Sequence, residues 1–555
     1  MFVRVKTSPN SVGKSVQIVQ SVRKADRVTQ KIVRHVGMAY CQDELKKLRF
    51  LAESIKLKLE AGGQEFLFKP EEIVKLSDSG KKYKDSDYIV NVKNLKEEQR
   101  LVSGIHDVYG KLFSDLGYDK VIKRPSRNKA TANIFKNIVL ARVANPVSKM
   151  ATVDLLEEDF GVTLDLDRVY RMMDSLDGPA IERLKKITYQ NSLNLLGTKI
   201  DVIFYDATTV YFESFEEDSL KRNGFSKDHK HNQPQVLLAL MVTTDGLPVD
   251  YEIFPGDVYE GHTLVPALTK IRKKYDIDKI VFVADSAMLS KDNIKCLESL
   301  EEHNLSYIVG ARLKNMAAPL KEKILDGRNY RKVKAGYYSI AEIPNGDRKV
   351  IVSYSESRAR KDAADRKKAI AKLMAKLDKS KSPKSHLSNH GYRKYLKVEG
   401  KSKLSLDEEK IVSDAKWDGL HGVVTNSDLS PASVLLKYND LWNVEAAFRV
   451  TKHDLKVRPV YHWKPSRIKA HIGICFAAYA LVKHLEYRVR LQYRKLSIEK
   501  IRYALMKVQT SILFDRDKRI RYGLPSRMKR DARKIYNILD IKRSITPYII
   551  EKCKM

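Results

Sequence analysis

A chain of 555 residues with 104 Lys and Arg against 69 Asp and Glu carries a net charge of +35, on an ordinary mix of 43% hydrophobic and 31% charged residues. That composition excludes wholesale disorder, a collagen-like repeat and a disulfide scaffold. The length suggests about three to four domains, because one core rarely grows beyond about 250–300 residues, and a positive excess of this size points to a polyanionic partner, nucleic acid before any other.

Phe2 to Lys6, Ser15 to Val22 and Val28 to Val36 alternate apolar with polar or basic residues and read as short strands, with turn-formers Pro9, Asn10 and Gly13 between the first two. Asp43 to Glu60 changes to helical period, placing Leu45, Leu48, Leu51, Ile55 and Leu59 on one face. Lys69 to Asp87 reads as loop, and Leu95 to Leu116 as helix. Several helices are expected from Lys129 to Leu196, among them Thr131 to Val143 and Arg168 to Leu176, with turns at Pro146 and Gly178.

From Thr198 the pattern becomes mixed. Lys199 to Tyr205 is a strand, prolonged by Val210 to Phe215, and Gln235 to Thr243 with Pro248 to Phe254 makes a hairpin around Asp245–Gly246. Thr263 to Lys274 is an amphipathic helix, Lys279 to Ala284 an apolar strand, Lys291 to His303 a helix and Tyr307 to Gly310 a strand. This order suits an α/β fold with an RNase-H-like mixed sheet. Lys314 to about Gly419 reads as an insertion with its own small fold, containing β-like Tyr337 to Ile343 and Lys349 to Ser353 and the basic stretch Arg358 to Lys384. Strand Gly422 to Thr425 resumes the core. Ser430–Pro431 then starts a helix running to about His453, Arg467 to Gln492 is a long helix, and the basic tail reads as mostly helical.

The boundaries expected are an N-terminal β/helical region over 1–125, a helical one over 126–197, core parts over 198–313 and 421–480, a β-rich insertion over 314–420 and a basic helical C-terminal region over 481–555. Four cysteines, Cys41, Cys296, Cys475 and Cys553, lie far apart without a CxxC pair, which argues against a zinc site and fits a reducing cytosol. No signal peptide is expected, and the longest apolar run, Ile472 to Val482, is far short of the roughly 20 residues that span a bilayer. The expectation is a cytoplasmic protein without a membrane partner.

Three carboxylates stand out by context. Asp206 ends the apolar run Val202 to Tyr205, and Asp285 ends Ile280 to Ala284; sites in open α/β sheets form beyond strand ends. A helix cap or turn is the alternative for each. Glu445 shares its helix with Tyr438 and Lys452, each seven residues away and so on one face, and with Arg449, four residues on, which could pair with it; on spacing alone an ordinary exposed helix face with that charge pair is the better reading. Carboxylates converging on one point would repel each other and bind a divalent metal; Mg2+ suits a phosphate-processing site, and two such ions can drive in-line attack on a phosphodiester. His229, His231, His262 and His303 lack ligand-like partners.

In these contexts, YDATTVYFES, VADSAMLSKDNI and YNDLWNVEAAFRVTKHDLKVRPVYHW, the chain resembles the DDE transposases of bacterial insertion sequences, in the group with a long β-rich insertion between the second Asp and the Glu. The signature of that group, Y-x2-R-x3-E-x6-K, is met by Tyr438, Glu445 and Lys452. Leu441 stands at the arginine position, as an apolar residue does in one branch, and Arg449 and Arg458 are candidates for that cation. RKADRVTQKIVRHVG, VYRMMDSLD, YIVGARLK and RIKAHIGICFAAYAL extend the likeness over most of the chain.

The resemblance implies a nucleoid-associated bacterial enzyme that cleaves double-stranded DNA at terminal inverted repeats and transfers the 3′ ends to a target, working as a homodimer. Asp206, Asp285 and Glu445 would hold two Mg2+ (or Mn2+) ions, while Tyr438 and Lys452 would contact phosphates. The N-terminal regions would read the repeats, with Arg23, Lys24, Arg27, Lys31 and Arg34 as phosphate contacts or a solvated face. Trp417 could support a flipped base or lie buried. The alternatives are a catalytically silent DNA-binding relative and an RNase-H-like nuclease of another type.

Overall fold

Alternation of apolar and basic residues gives the chain its first sheet: β1 (Phe2–Thr7), β2 (Lys14–Lys24) and β3 (Arg27–Ala39) pair antiparallel in that order. The computed structural model describes residues 1–7, 14–24, 27–39, 45, 46, 48, 49, 51–53, 56, 85–123, 128–197, 200, 202–213, 216–225, 232–275, 280–286, 293, 295, 305–333, 338–378, 391–399, 403–458 and 460–552. The chain divides into two units, the first comprising 1–200, 207–258 and 445–555, the second 201–206 and 259–444.

In the first unit, the buried Val16, Ile18 and Val36 of the opening sheet share a core with Leu45, Leu48 and Leu51, the face expected of the Asp43 to Glu60 helix; Ile55 and Leu59 lie outside the described residues. Arg23, Lys24 and Arg27 lie in β2 and β3, with side chains outside the description. The helix expected over Leu95 to Leu116 begins late. β4 (Leu95–Val102) is a strand, and only α1 (Ser103–Asp115) is helical. Tertiary pairing overrides the helical leaning of Lys, Glu and Gln: β4 runs antiparallel to the C-terminal segment, Val102 opposite Gln509 and Leu95 opposite Asp515. Four helices follow as expected: α2 (Asn128–Ala144), α3 (Lys149–Phe160), α4 (Leu166–Asp174) and α5 (Gly178–Leu196). Ser148, Asp165 and Asp177 cap the last three by accepting backbone N–H bonds.

β5 (Val202–Tyr211) passes from the second unit into the first, where the strand order continues to β6 (Gln235–Val242) and β7 (Pro248–Pro255), the expected hairpin. In the second unit, α6 (Leu264–Tyr275) leads to β8 (Ile280–Ala284) and β9 (Leu305–Gly310), both parallel along the chain of pairings from β5. Taking β5 to β9 as one to five, the order read through the shared strand is the 3-2-1-4-5 of an RNase-H-like sheet. Most of the expected Lys291 to His303 helix lies outside the described residues.

Part of the 314–420 segment joins the second unit's sheet. β10 (Arg331–Lys332), β11 (Tyr338–Asn345) and β12 (Arg348–Ser355) continue it, because β12 pairs with β15 (Leu420–Thr425), which pairs with β9. Between β12 and β15 lie α7 (Glu356–Asp378), the two-stranded β13 (Leu396–Glu399) and β14 (Lys403–Leu406), and α8 (Glu408–Ala415). Trp417 is half-buried there.

The helix expected from Ser430 to His453 is interrupted. α9 (Pro431–Asn439), capped by Ser430, ends in a turn at Asp440 and Leu441, α10 (Trp442–Arg449) follows, and Val450–Asp454 forms a π turn. α11 (Pro465–Gln492) is apolar and long enough to cross a membrane, yet 89% of its apolar window is buried within the protein. The tail corrects a further expectation. α12 (Ile498–Met506) and α13 (Arg530–Ile538) alternate with β16 (Gln509–Asp515), β17 (Ile520–Pro525) and β18 (Tyr548–Lys552), which complete a sheet of order β18-β17-β16-β4. These strands are short, and the strongly basic stretches between them, 516–519 and 527–534, dominate the pattern of the tail.

Candidate active site

Two of the expected acids meet by strand register. β5 and β8 run parallel, with Val202 opposite Val281 and Tyr205 opposite Ala284. The next residue on each strand is an aspartate, so Asp206 and Asp285 fall side by side on one face of the sheet, their strands about 4.8 Å apart. Buried Tyr205, Phe282, Val283 and Ala284 hold both strands. Asp206 lies inside β5, since the β-branched run Thr208–Thr209–Val210 carries the strand past the point where β8 stops. Asp206 is half-buried and Asp285 exposed, and the Ser286 amide donates to Asp285 Oδ1 at 2.5 Å.

The end of β9 completes this part of the second unit. A Cβ at Gly310 would stand 2.3 Å from the Tyr438 hydroxyl and 3.0 Å from the Ser286 amide, so the bare glycine gives the tyrosine its seat. His421, at the start of β15, lies with its ring centroid 5.3 Å from that of Tyr438 at 42°. Burial pushes the His421 imidazole below its ordinary value and the Arg358 guanidinium adds to this, while the Asp285 carboxylate opposes them. His421 is therefore a neutral ring at pH 7.

In the first unit, Glu445 is exposed in the first turn of α10. Ala447 and Phe448, on the other side, are buried. Lys452 Nζ donates to Thr208 Oγ1 in β5 and lies 5.9 Å from the Phe448 ring centroid. Arg449 is exposed and acts electrostatically on Asp454; it forms no ion pair with Glu445 among the described residues. The Arg458 guanidinium lies 5.6 Å from the Tyr211 ring centroid. Because Tyr438, Glu445 and Lys452 sit respectively in α9, α10 and the π turn, they do not share one uninterrupted helical face. The break has a local cause: the Asp440 amide turns back onto the Leu436 and Lys437 carbonyls, and the Leu455 amide reaches Val450 O to close the π turn. Lys456, at φ 42°, follows it, and buried Arg142 donates to the Leu455 and Lys456 carbonyls at 3.4 and 3.3 Å.

Among the described residues, no group of three His, Cys, Asp or Glu is placed to hold a metal ion; the assembled element is the aspartate pair. Two carboxylates offering hard oxygen donors, one of them exposed, fit Mg2+, which binds through one or two carboxylates and retains water or phosphate ligands. Sequence reasoning missed Gly310 and His421. Gly310 carried a signal, a glycine closing the apolar run Tyr307 to Val309; His421 carried none, because only the pairing of β15 with β9 brings it there.

A family model described as the transposase DDE domain matches residues 197–481, slightly more than half of the chain. No curated protein matches. A solved structure of a piggyBac transposase synaptic complex with hairpin DNA is similar over 73% of this chain and 77% of that one, at 10% identity and a TM-score of 0.37, a likeness too slight to carry any argument.

Proposed function

The chain belongs to the transposase DDE domain family, and on that premise we propose that it cuts DNA at the terminal inverted repeats of a bacterial insertion sequence and joins the freed 3′ ends to target DNA. The observation that carries this reading is the parallel register that sets Asp206 beside Asp285. In this reading Asp206, Asp285 and Glu445 hold two Mg2+ (or Mn2+) ions. Bound there, the ions supply a nucleophile at neutral pH and stabilise the leaving oxygen of an in-line displacement.

The chain's own residues do the rest. The two strand-borne aspartates fix one wall of the site rigidly, because their backbone is locked by pairing. Lys452, held by Thr208, presents a cation to a DNA phosphate, and the Tyr438 hydroxyl, seated on Gly310, offers a hydrogen bond to another. Arg449 or Arg458 supplies the cation that Leu441 cannot. Two DNA ends require two such sites, so a homodimer on DNA is the proposed assembly.

Asp206→Asn tests the reading, since it removes one charge at nearly constant shape. Cleavage of DNA carrying an end of the element is expected to fall at least about 10²-fold, the scale for losing one electrostatic stabiliser of a transition state, with DNA affinity retained. Normal cleavage by that variant would refute it. A wild-type protein that binds the ends and never cuts them would favour the silent-binder reading.

A further inference from the structure

The 23-residue helix α7 in the second unit carries most of the basic stretch Arg358 to Lys384. One face of it is anchored. Arg366 donates two bonds to the Asp418 carboxylate at 2.6 and 2.5 Å, the Gly419 amide donates to Asp362 Oδ2 at 3.0 Å, and Leu373 is buried. The Arg366–Asp418 pair is itself largely buried, with side-chain exposures of 14% and 15%. A helix fixed in this way is a rigid element of the fold.

About a quarter of the way round the axis runs a row of exposed cations. Arg358, Lys361, Lys368 and Lys372 follow helical spacing, with Asp365 among them and Asp362 turned to the anchored side by its bond from Gly419. Among the described residues, the ion pairs of this helix, Arg360–Glu356 and Arg366–Asp418, use other positions. From Arg358 to Lys372 the row covers about 21 Å at 1.5 Å per residue. B-form DNA presents one phosphate charge per about 1.7 Å of its axis, so that span of duplex carries ample anions to meet four cations.

The row also has a direction. Its first cation, Arg358, lies where the start of α7 meets Gly419: the Ser355 amide donates to the Gly419 carbonyl at 3.0 Å, and a Cβ at Gly419 would stand 2.8 Å from that of Ala359. Two residues on, His421 packs on Tyr438, which sits at Gly310 beside Ser286, the residue after Asp285. We propose that the Arg358–Lys372 row of α7 is a track for the phosphate backbone of DNA, leading the duplex to the strand ends that carry Asp206 and Asp285. A merely solvated face would need no such anchoring and no such approach to the acids. The inference rests on the proposed function for the identity of the polyanion.

Binding measured in EDTA separates this claim from catalysis. The affinity for a duplex carrying an element end is followed against salt for the wild type, for K361Q/K368Q/K372Q, and for K323Q/R331Q/K332Q, which removes equal charge from exposed positions elsewhere in the same unit. Each lost phosphate contact lowers the slope of log K against log[salt] by about 0.9, so the row variant is expected to be shallower by about 2.7, and the control to match the wild type. Gln keeps helix propensity and these side chains are exposed, so folding is retained. A wild-type slope in the row variant, or an equal change in the control, overturns the track and leaves the cleavage reading standing. A wild-type protein that binds no DNA overturns both.

Discussion

At Gly310 an added methyl group would meet the Tyr438 hydroxyl at 2.3 Å and the Ser286 amide at 3.0 Å, and the tyrosine, met at the tip of its side chain, is the group that must shift. Gly310→Ala is therefore expected to lower cleavage while leaving the melting temperature nearly unchanged. The two positions should also couple by about 0.5–3 kcal/mol in a double-mutant cycle with Tyr438→Ala, as touching residues do; purely additive losses would show that Tyr438 does not act from that seat. Asp206 and Asp285 could be read in the sequence because each follows an apolar strand run, and strand ends are where such sheets build sites. Gly310 and His421 acquire meaning only from the antiparallel pairing of β9 with β15, between segments far apart in the chain. Glu445 was expected from the resemblance to the family signature and not from spacing, and the assumption of one straight helix through Tyr438, Glu445 and Lys452 failed at the turn after Asn439.

Elements with strong local patterns were readable: β6 and β7 around Asp245–Gly246, the capped helices α3 to α5, and apolar β8. β4 was hidden because its residues favour helix in isolation and its partner β16 lies at the other end of the chain. The segment between β12 and β15 depends on a polar centre. Burial raises the Asp414 carboxyl, but hydrogen bonds from Lys394, Tyr395 and Lys314 outweigh it and hold the group at about 2. A carboxyl depressed in the folded state stabilises above its unfolded value, and the stabilisation is lost as pH falls through the folded value. The segment should therefore weaken between about pH 4 and pH 2, seen by the fluorescence of half-buried Trp417. Asp414→Asn should remove that acid step while lowering stability at pH 7. An unchanged acid transition in the variant would dissociate the network from the segment's stability.

Inside the first unit a small cluster of basic groups lies among apolar residues, with Arg142, Lys149 and His471 buried and His462 half-buried. Arg142, Lys149, His462 and His471 lie close together, with Lys149 Nζ 3.3 Å from His471 Nδ1 and His471 Nε2 3.1 Å from Val457 O. Burial, then Lys149, Arg467 and Arg142, push His462 down to about 3. Burial and the same neighbours Lys149, Arg142 and His462 hold His471 well below its ordinary value. Both rings stay neutral in the fold, while the unfolded chain takes up protons below about pH 6.5. Their contribution is thus complete above that pH and lost as pH falls towards the folded values, at up to about 1.4 kcal/mol per pH unit for each ring. The melting temperature should drop between pH 7 and pH 5, and His462→Phe should flatten that dependence; a flat profile in the wild type would contradict neutral, desolvated rings at these two positions.

The proposed metal site of Asp206, Asp285 and Glu445 is open to a direct physical measurement. Fe2+ substituted for Mg2+ on the DNA-bound protein, with ascorbate and peroxide, generates hydroxyl radicals that cut the backbone near the ion. Fragments ending close to all three residues, suppressed by excess Mg2+ and abolished in Asp206→Asn, are the predicted result. Cuts near Asp206 and Asp285 with none near Glu445, or no localised cuts at all, would contradict it.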